Sequence, residues 1–361
     1  MIKGNLFKLL VIFFIFLGEL LYPSDVYASS PFEYPPEGFV LIRASIGVQL
    51  YRKDYTSGTP DYVQVIQLKR GAEIRLLYGG ISPTAMEPGV FGGLDARFYS
   101  RSIEQYWEDI LSVTSRAFCV TNGEFFNMYE YPTRLPFPLK VNGVILSGGY
   151  SKGEFTEERM MLEIWLDQVD IQPLTKLNFQ NSSAPNILSG LLETSRKSPD
   201  KYVGRTFAGV KDQEGDGIFE TLLIFSTQTA RQADAAQTLR DFGAQKVLML
   251  DGGSSTQLLC QGKSYIKTDR LIPNAIAVLD GTQPYYPKPK MRPPYSPKPG
   301  VQENLTENDM IKPVGSKHRL NNTTDHLIAN KPTYPRINYQ DAMLIPFFIT
   351  IISLFLFKNA H

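Results

Sequence analysis

Between residues 63 and 78, apolar and polar positions alternate in two stretches, VQVIQL and AEIRLLY, parted by Lys69-Arg70-Gly71. A period of two interrupted by a turn predicts strand, turn, strand. After Ser102 the period becomes helical. Ile103, Tyr106, Trp107, Ile110 and Leu111 fall at i, i+3, i+4, i+7 and i+8, and Ser102 with Gln105 makes a capping box. A short strand over Arg116–Val120 then runs into Asn122-Gly123-Glu124-Phe125-Phe126-Asn127. The plan repeats downstream. Thr221–Phe225 reads as a strand, and Thr229 with Gln232 as a second capping box. Ala233, Ala236, Leu239 and Phe242 form the helix face, Gly243 its C-cap, and Lys246–Leu250 a buried strand ending at Asp251-Gly252-Gly253-Ser254-Ser255.

Strand, helix, strand at this length predicts a right-handed parallel crossover. The fold expected is therefore α+β or mixed α/β, a single domain with one mixed twisted sheet flanked by helices. Ligands of such sheets bind beyond the carboxyl ends of the strands, which puts Asn122 and Asp251 on one rim if their strands lie near each other.

The ends of the 361-residue chain read differently from its middle. Lys3 and Lys8, an apolar run from Leu9 to Leu17, and Val26-Tyr27-Ala28 resemble a cleavable leader over residues 1–28. The globular part is expected over 31–281. Residues 282–341 form a Pro-rich and polar linker, with QPYYPKPKMRPPYSPKPG favouring extended polyproline and forbidding helix. Residues 342–358 form a hydrophobic tail and a candidate membrane anchor. Its apolar stretch from Met343 to Phe357 would rise only about 22 Å as a helix, short of a bilayer core of roughly 30 Å. An exported location follows from the leader.

Lys+Arg 37 against Asp+Glu 36 argues against nucleic acid as a partner, because there is no broad basic field. Two cysteines and three histidines argue against a Cys- or His-rich metal centre. Cys119 and Cys260 are compatible with one disulfide or with two buried thiols. No cofactor is expected, and a divalent cation is left open. Asp212-Gln213-Glu214-Gly215-Asp216-Gly217 has oxygen ligands at alternate positions, as calcium loops do. It lacks the Glu at loop position 12 and reads as a hairpin turn.

The acid of Asp251-Gly252-Gly253-Ser254-Ser255 stands at a strand end, followed by glycines that let backbone approach a ligand and N–H groups that can cradle an anion. Asn122-Gly123-Glu124-Phe125-Phe126 occupies the analogous position in the first unit. Arg205-Thr206-Phe207-Ala208-Gly209-Val210 and Arg270-Leu271-Ile272-Pro273-Asn274-Ala275 complete four ordered elements. In order and spacing these elements resemble the phosphodiester glycosidase family, across about residues 61–280. Two positions depart from the family pattern: Glu124 stands where its second glycine would be, and Ser254 where the acidic loop has its third.

The resemblance implies hydrolysis of a sugar-1-phosphodiester at the anomeric carbon, with N-acetylglucosamine as the type of sugar, in exopolysaccharide or cell-envelope glycan metabolism. The substrate would be a glycosyl phosphodiester or a phosphorylated glycan. A departing phosphomonoester carries its own negative charge, so phosphate-holding groups matter more than a general acid. Asp251 is the carboxylate assigned to the sugar carbon or to water, and Glu124 is a candidate second carboxylate. Arg205 and Arg270 match phosphate oxygens in bidentate geometry. Asn122, Thr206, Gly252, Gly253, Ser255 and Asn274 complete the candidate substrate-binding set. Phe125 and Phe126 are candidate walls of a sugar pocket. The rival reading is a non-catalytic envelope protein that binds polysaccharide or phosphorylated glycan.

Overall fold

The computed structural model describes residues 35–84 and 86–282, and within them lie eighteen strands and three α-helices. Eleven strands form one sheet. Its path runs β1 (Phe39–Ser45), β2 (Val48–Lys53), β3 (Asp61–Gln67), β14 (Thr221–Ala230), β13 (Val203–Lys211), β15 (Lys246–Met249), β12 (Asn186–Leu192), β10 (Arg159–Ile164), β11 (Val169–Pro173), while β8 (Leu139–Val141) pairs with β12 and β9 (Val144–Ser147) with β8. A second sheet has the order β17 (Lys263–Ile266), β16 (Leu258–Cys260), β6 (Ala117–Asn122), β18 (Asn274–Leu279), β4 (Glu73–Tyr78). A ribbon of β5 (Arg97–Phe98) and β7 (Thr133–Arg134) stands apart.

Alternation along the strands explains why two sheets pack face to face. In β14, Leu222 and Ile224 enter one core, while Leu223 and Phe225 enter another on the opposite face. In β18, Ile276 and Val278 join that first core, and Ala275, Ala277 and Leu279 point the other way. Each strand thus feeds two apolar layers, and the layer shared by the sheets is their common core. Helix α1 (Ile103–Val113) covers the outer face of the small sheet through Ile103, Tyr106 and Ile110. Helix α3 (Gln232–Asp241) covers the large sheet through Ala235, Ala236 and Leu239, and the short α2 (Lys176–Asn181) adds Phe179.

The expected mixed sheet flanked by helices is overturned. Among the described residues every strand pair with a register is antiparallel, there are two large sheets and a two-stranded ribbon instead of one sheet, and three helices are far outnumbered by strands. The predicted crossover from β14 through α3 to β15 is present as a chain path, but β13 lies between the two strands and pairs antiparallel with both. Local pattern does not reveal a strand inserted from elsewhere in the chain. Likewise β3 and β4 exist as predicted, yet the turn between them hands the chain from the large sheet to the small one.

Ser102 and Gln105 form the predicted capping box. Thr229, in contrast, is the penultimate residue of β14. Helix α3 starts after Arg231, whose backbone N–H donates to Asp234, and Ala233 is exposed. Gly243 adopts φ +95° at the helix end, as expected of a C-cap.

Cys119 and Cys260 are directly opposed on β6 and β16 and form a disulfide, with Cα atoms 4.0 Å apart. The leader and tail readings, and the linker beyond Thr282, fall outside the described residues. Among the described residues no helix is long and apolar enough to cross a membrane.

Candidate active site

The two predicted loops meet. Asn122 closes β6 of the small sheet and Asp251 follows β15 of the large one, and the Asn122 side-chain amide donates to the Asp251 carbonyl at 2.8 Å. The Asp251 N–H donates in return to Gly123 O at 3.2 Å. Asn122 Oδ1 accepts from Thr206 Oγ1 at 2.7 Å and from the Gln257 N–H at 3.2 Å, so this single buried amide ties β6, β13 and the segment after Asp251 together. Asn274 supports the next residues, accepting the Glu124 N–H on Oδ1 at 2.9 Å and the Gly123 N–H on its carbonyl. A Cβ at Gly123 would lie 1.8 Å from Asn274 Oδ1, which restricts the position to glycine.

Beyond this seam opens a cavity of about 820 Å³ with Asp251 in its wall. The Asp251 carboxylate accepts from the Gly252 N–H at 2.9 Å and from the Ser255 hydroxyl. Burial nevertheless raises its pKa to about 6, against the pull of these hydrogen bonds and of the Lys197 and Arg270 charges. Asp251 can therefore exchange its proton at only slightly acid pH.

Four cationic side chains line the same cavity: Lys197, Lys201, Arg205 and Arg270. Arg270 donates from Nε and Nη2 to Ser254 Oγ at 3.2 and 3.0 Å, and its own carbonyl accepts from Gln257 Nε2 at 2.9 Å. Ser254, one of the two departures from the family pattern, thus aims the guanidinium. Arg205 is buried and employed differently. It donates to the carbonyls of Ser198, Lys201 and Ala230 at 2.6, 3.0 and 3.1 Å, and burial lowers its pKa. Its role in the geometry is to pin the segment carrying Lys197 and Lys201 to the cavity rim. Lys197 Nζ lies 5.1 Å from the Phe125 ring centre and 5.6 Å from that of Phe155.

The sequence-predicted residues therefore separate into two groups. Asp251, Gly252, Gly253, Ser255, Arg205 and Arg270 line the cavity, as do Phe125 and Phe126. Asn122, Thr206, Asn274 and Glu124 are buried and are not among its lining residues. Glu124 Oε2 accepts the Ser189 N–H at 2.9 Å, Oε1 has no hydrogen-bond partner, and burial pushes the pKa well above the usual carboxylate value. The geometry gives Glu124 the place of a buried strut between β12 and the β6 loop.

The second carboxylate that does line the cavity is Glu154, and Tyr150 stands near it, its ring stacked on the Arg134 guanidinium at 4.8 Å. Neither residue, nor Lys197 or Lys201, was singled out by sequence reasoning. The run Arg196-Lys197 just before the Arg205 strand was the one available signal for the lysines.

No curated protein sequence matches the chain. Among solved structures, the catalytic domain of zebrafish N-acetylglucosamine-1-phosphodiester alpha-N-acetylglucosaminidase, auto-inhibited by its pro-peptide, is similar with 14% identity over 64% of this chain and 82% of that one, at a TM-score of 0.46. A hypothetical protein from Synechocystis shares 15% identity over 69% of this chain and 64% of its own, at 0.41. Residues 115–279, which contain all four motif elements, match the phosphodiester glycosidase family, and over that segment the resemblance read from the motifs is established.

Proposed function

We propose that this protein hydrolyses a sugar-1-phosphodiester in the cavity beside Asp251, releasing the sugar and a phosphomonoester. The family match supports a phosphodiester glycosidase-type hydrolase in general. The observation that carries the finer reading is one carboxylate with a pKa of about 6 facing the same cavity as Lys197, Lys201 and Arg270. The cations take the phosphate oxygens, and the ionised Asp251 serves the anomeric carbon, where positive charge develops as the phosphomonoester departs. N-acetylglucosamine is the sugar we favour, in exopolysaccharide or envelope glycan turnover. The leader-like start and the Cys119–Cys260 bond support an exported protein.

The test is incubation of the purified protein with a synthetic N-acetylglucosamine-1-phosphodiester or UDP-N-acetylglucosamine and assay of free sugar. Turnover abolished by Asp251→Asn is the expected result. Tight binding of phosphorylated glycan without turnover by the unmutated protein would favour the binding-protein reading instead.

A further inference from the structure

We propose that the turn joining β13 to β14 is a calcium site in which Asp212, Asp216 and Glu220 each give a carboxylate oxygen to one hard divalent cation. None of the three lines the catalytic cavity. One oxygen from each lies within 4.8 Å of the others. That span suits calcium, whose oxygen ligands stand about 2.3–2.6 Å from the ion, so that two on opposite sides are roughly 5 Å apart.

The spacing resembles a calcium loop more fully in three dimensions than in one. Counting from Asp212, the acids fall at positions 1, 3, 5 and 9, with Gly217 at position 6 in a left-handed conformation at φ +85°. The acid absent from position 12 is replaced by Glu220, which the start of β14 carries back beside Asp212 and Asp216.

Glu220 supplies the independent indication of a ligand. It is only 4% exposed, and Oε1 accepts the Gln213 N–H at 2.9 Å, while Oε2 is buried with no hydrogen-bond partner. Leaving a carboxylate oxygen out of water and unpaired is costly, and a cation that seeks oxygen removes that cost. Four carboxylates and three cations gather here, with Arg70 lining the same small cleft as Glu220 and Lys69. Asp212, Glu214, Asp216 and Glu220 stand against Lys69, whose Nζ is 3.1 Å from Glu214 and 3.9 Å from Asp216, with the Lys211 charge also acting on Glu220. Calcium accepts such an irregular set of oxygens more readily than magnesium, which demands near-octahedral geometry.

The experiment uses the full chain, treated with EDTA and dialysed, then titrated with calcium chloride or magnesium chloride by calorimetry and followed by thermal unfolding. We expect one calcium bound per chain, tighter than magnesium, and a higher unfolding midpoint with calcium. Asp216→Asn and Glu220→Gln should each weaken calcium binding about tenfold or more. In EDTA, Glu220→Gln should unfold at or above the temperature of the unmutated chain, because the buried charge is gone, so its weaker binding is not misfolding. Absence of calcium heat and of any midpoint shift in the folded chain would overturn the site. So would unchanged affinity in Glu220→Gln, magnesium binding as tight as calcium, or binding that appears only in Lys69→Gln, where the lysine's own ammonium fills the position.

Discussion

The side-chain amide of Asn122 donates to the backbone carbonyl of Asp251 at 2.8 Å, joining the last residue of a strand in the small sheet to a residue two positions past the end of a strand of the large one. The amide is buried and satisfied on both atoms. Asn122→Ala orphans Thr206 Oγ1 and loosens the Asp251 loop at once. A loss of about 2–3 kcal/mol in urea unfolding is expected, together with a fall in kcat. Asn122→Ala with unaltered stability would deny the amide its clamping role.

The pKa of about 6 at Asp251 sets a pH limb. Acting as the ionised carboxylate, Asp251 makes kcat/KM rise with pH through about 6 and level off above it. The sign for stability is opposite. With the folded pKa above the ordinary aspartate value, the folded state holds the proton more tightly, so this group's contribution falls as pH rises from about 4 to about 6. Asp251→Asn removes turnover and raises the unfolding midpoint at neutral pH, which a melting series read beside the rate profile will check.

Glu124 offers the contrast. It is buried with a raised pKa and lies outside the cavity lining. Glu124→Gln keeps the shape of a residue outside the cavity lining, so kcat should stay within about threefold of the unmutated value. Its stability advantage should grow as pH climbs above the ordinary glutamate pKa. Loss of turnover with an intact melting curve would return Glu124 to the catalytic set.

Arg205 and Arg270 should fail in different ways. Arg270→Ala leaves the fold in place and raises KM for a phosphodiester about tenfold or more, since a cavity cation is lost. Arg205→Ala frees three backbone carbonyls and costs about 2–4 kcal/mol, visible in thermal unfolding before any kinetics. Equal melting behaviour of the two variants would merge their roles.

The Cys119–Cys260 bond closes a loop with a sequence separation of 141 residues. Constraint of the unfolded chain by so long a loop corresponds to about 2–5 kcal/mol. The double substitution Cys119→Ser and Cys260→Ser should lower the unfolding midpoint, and a reducing agent should then have no further effect on the variant.

Much of this molecule was readable along the chain. The helix at Ser102 with its capping box, and the strands expected at 116–120, 221–225 and 246–250 and found at 117–122, 221–230 and 246–249, follow from near-neighbour pattern, because caps and periodicity act over a few residues, while the four motif elements follow from the family resemblance. The sequence alone therefore determined these local elements and pointed to the loop that holds the candidate carboxylate. Tertiary structure decided the rest. β13 inserts between β14 and β15, the turn at Lys69-Arg70-Gly71 changes sheets, and Lys197 is drawn to the cavity by an arginine eight positions later. The division of Asn122, Thr206, Asn274 and Glu124 from Asp251 and Arg270 is likewise a matter of depth. Strand pairing and burial depend on which distant backbone supplies a partner for each N–H and C=O, a choice that no local window contains.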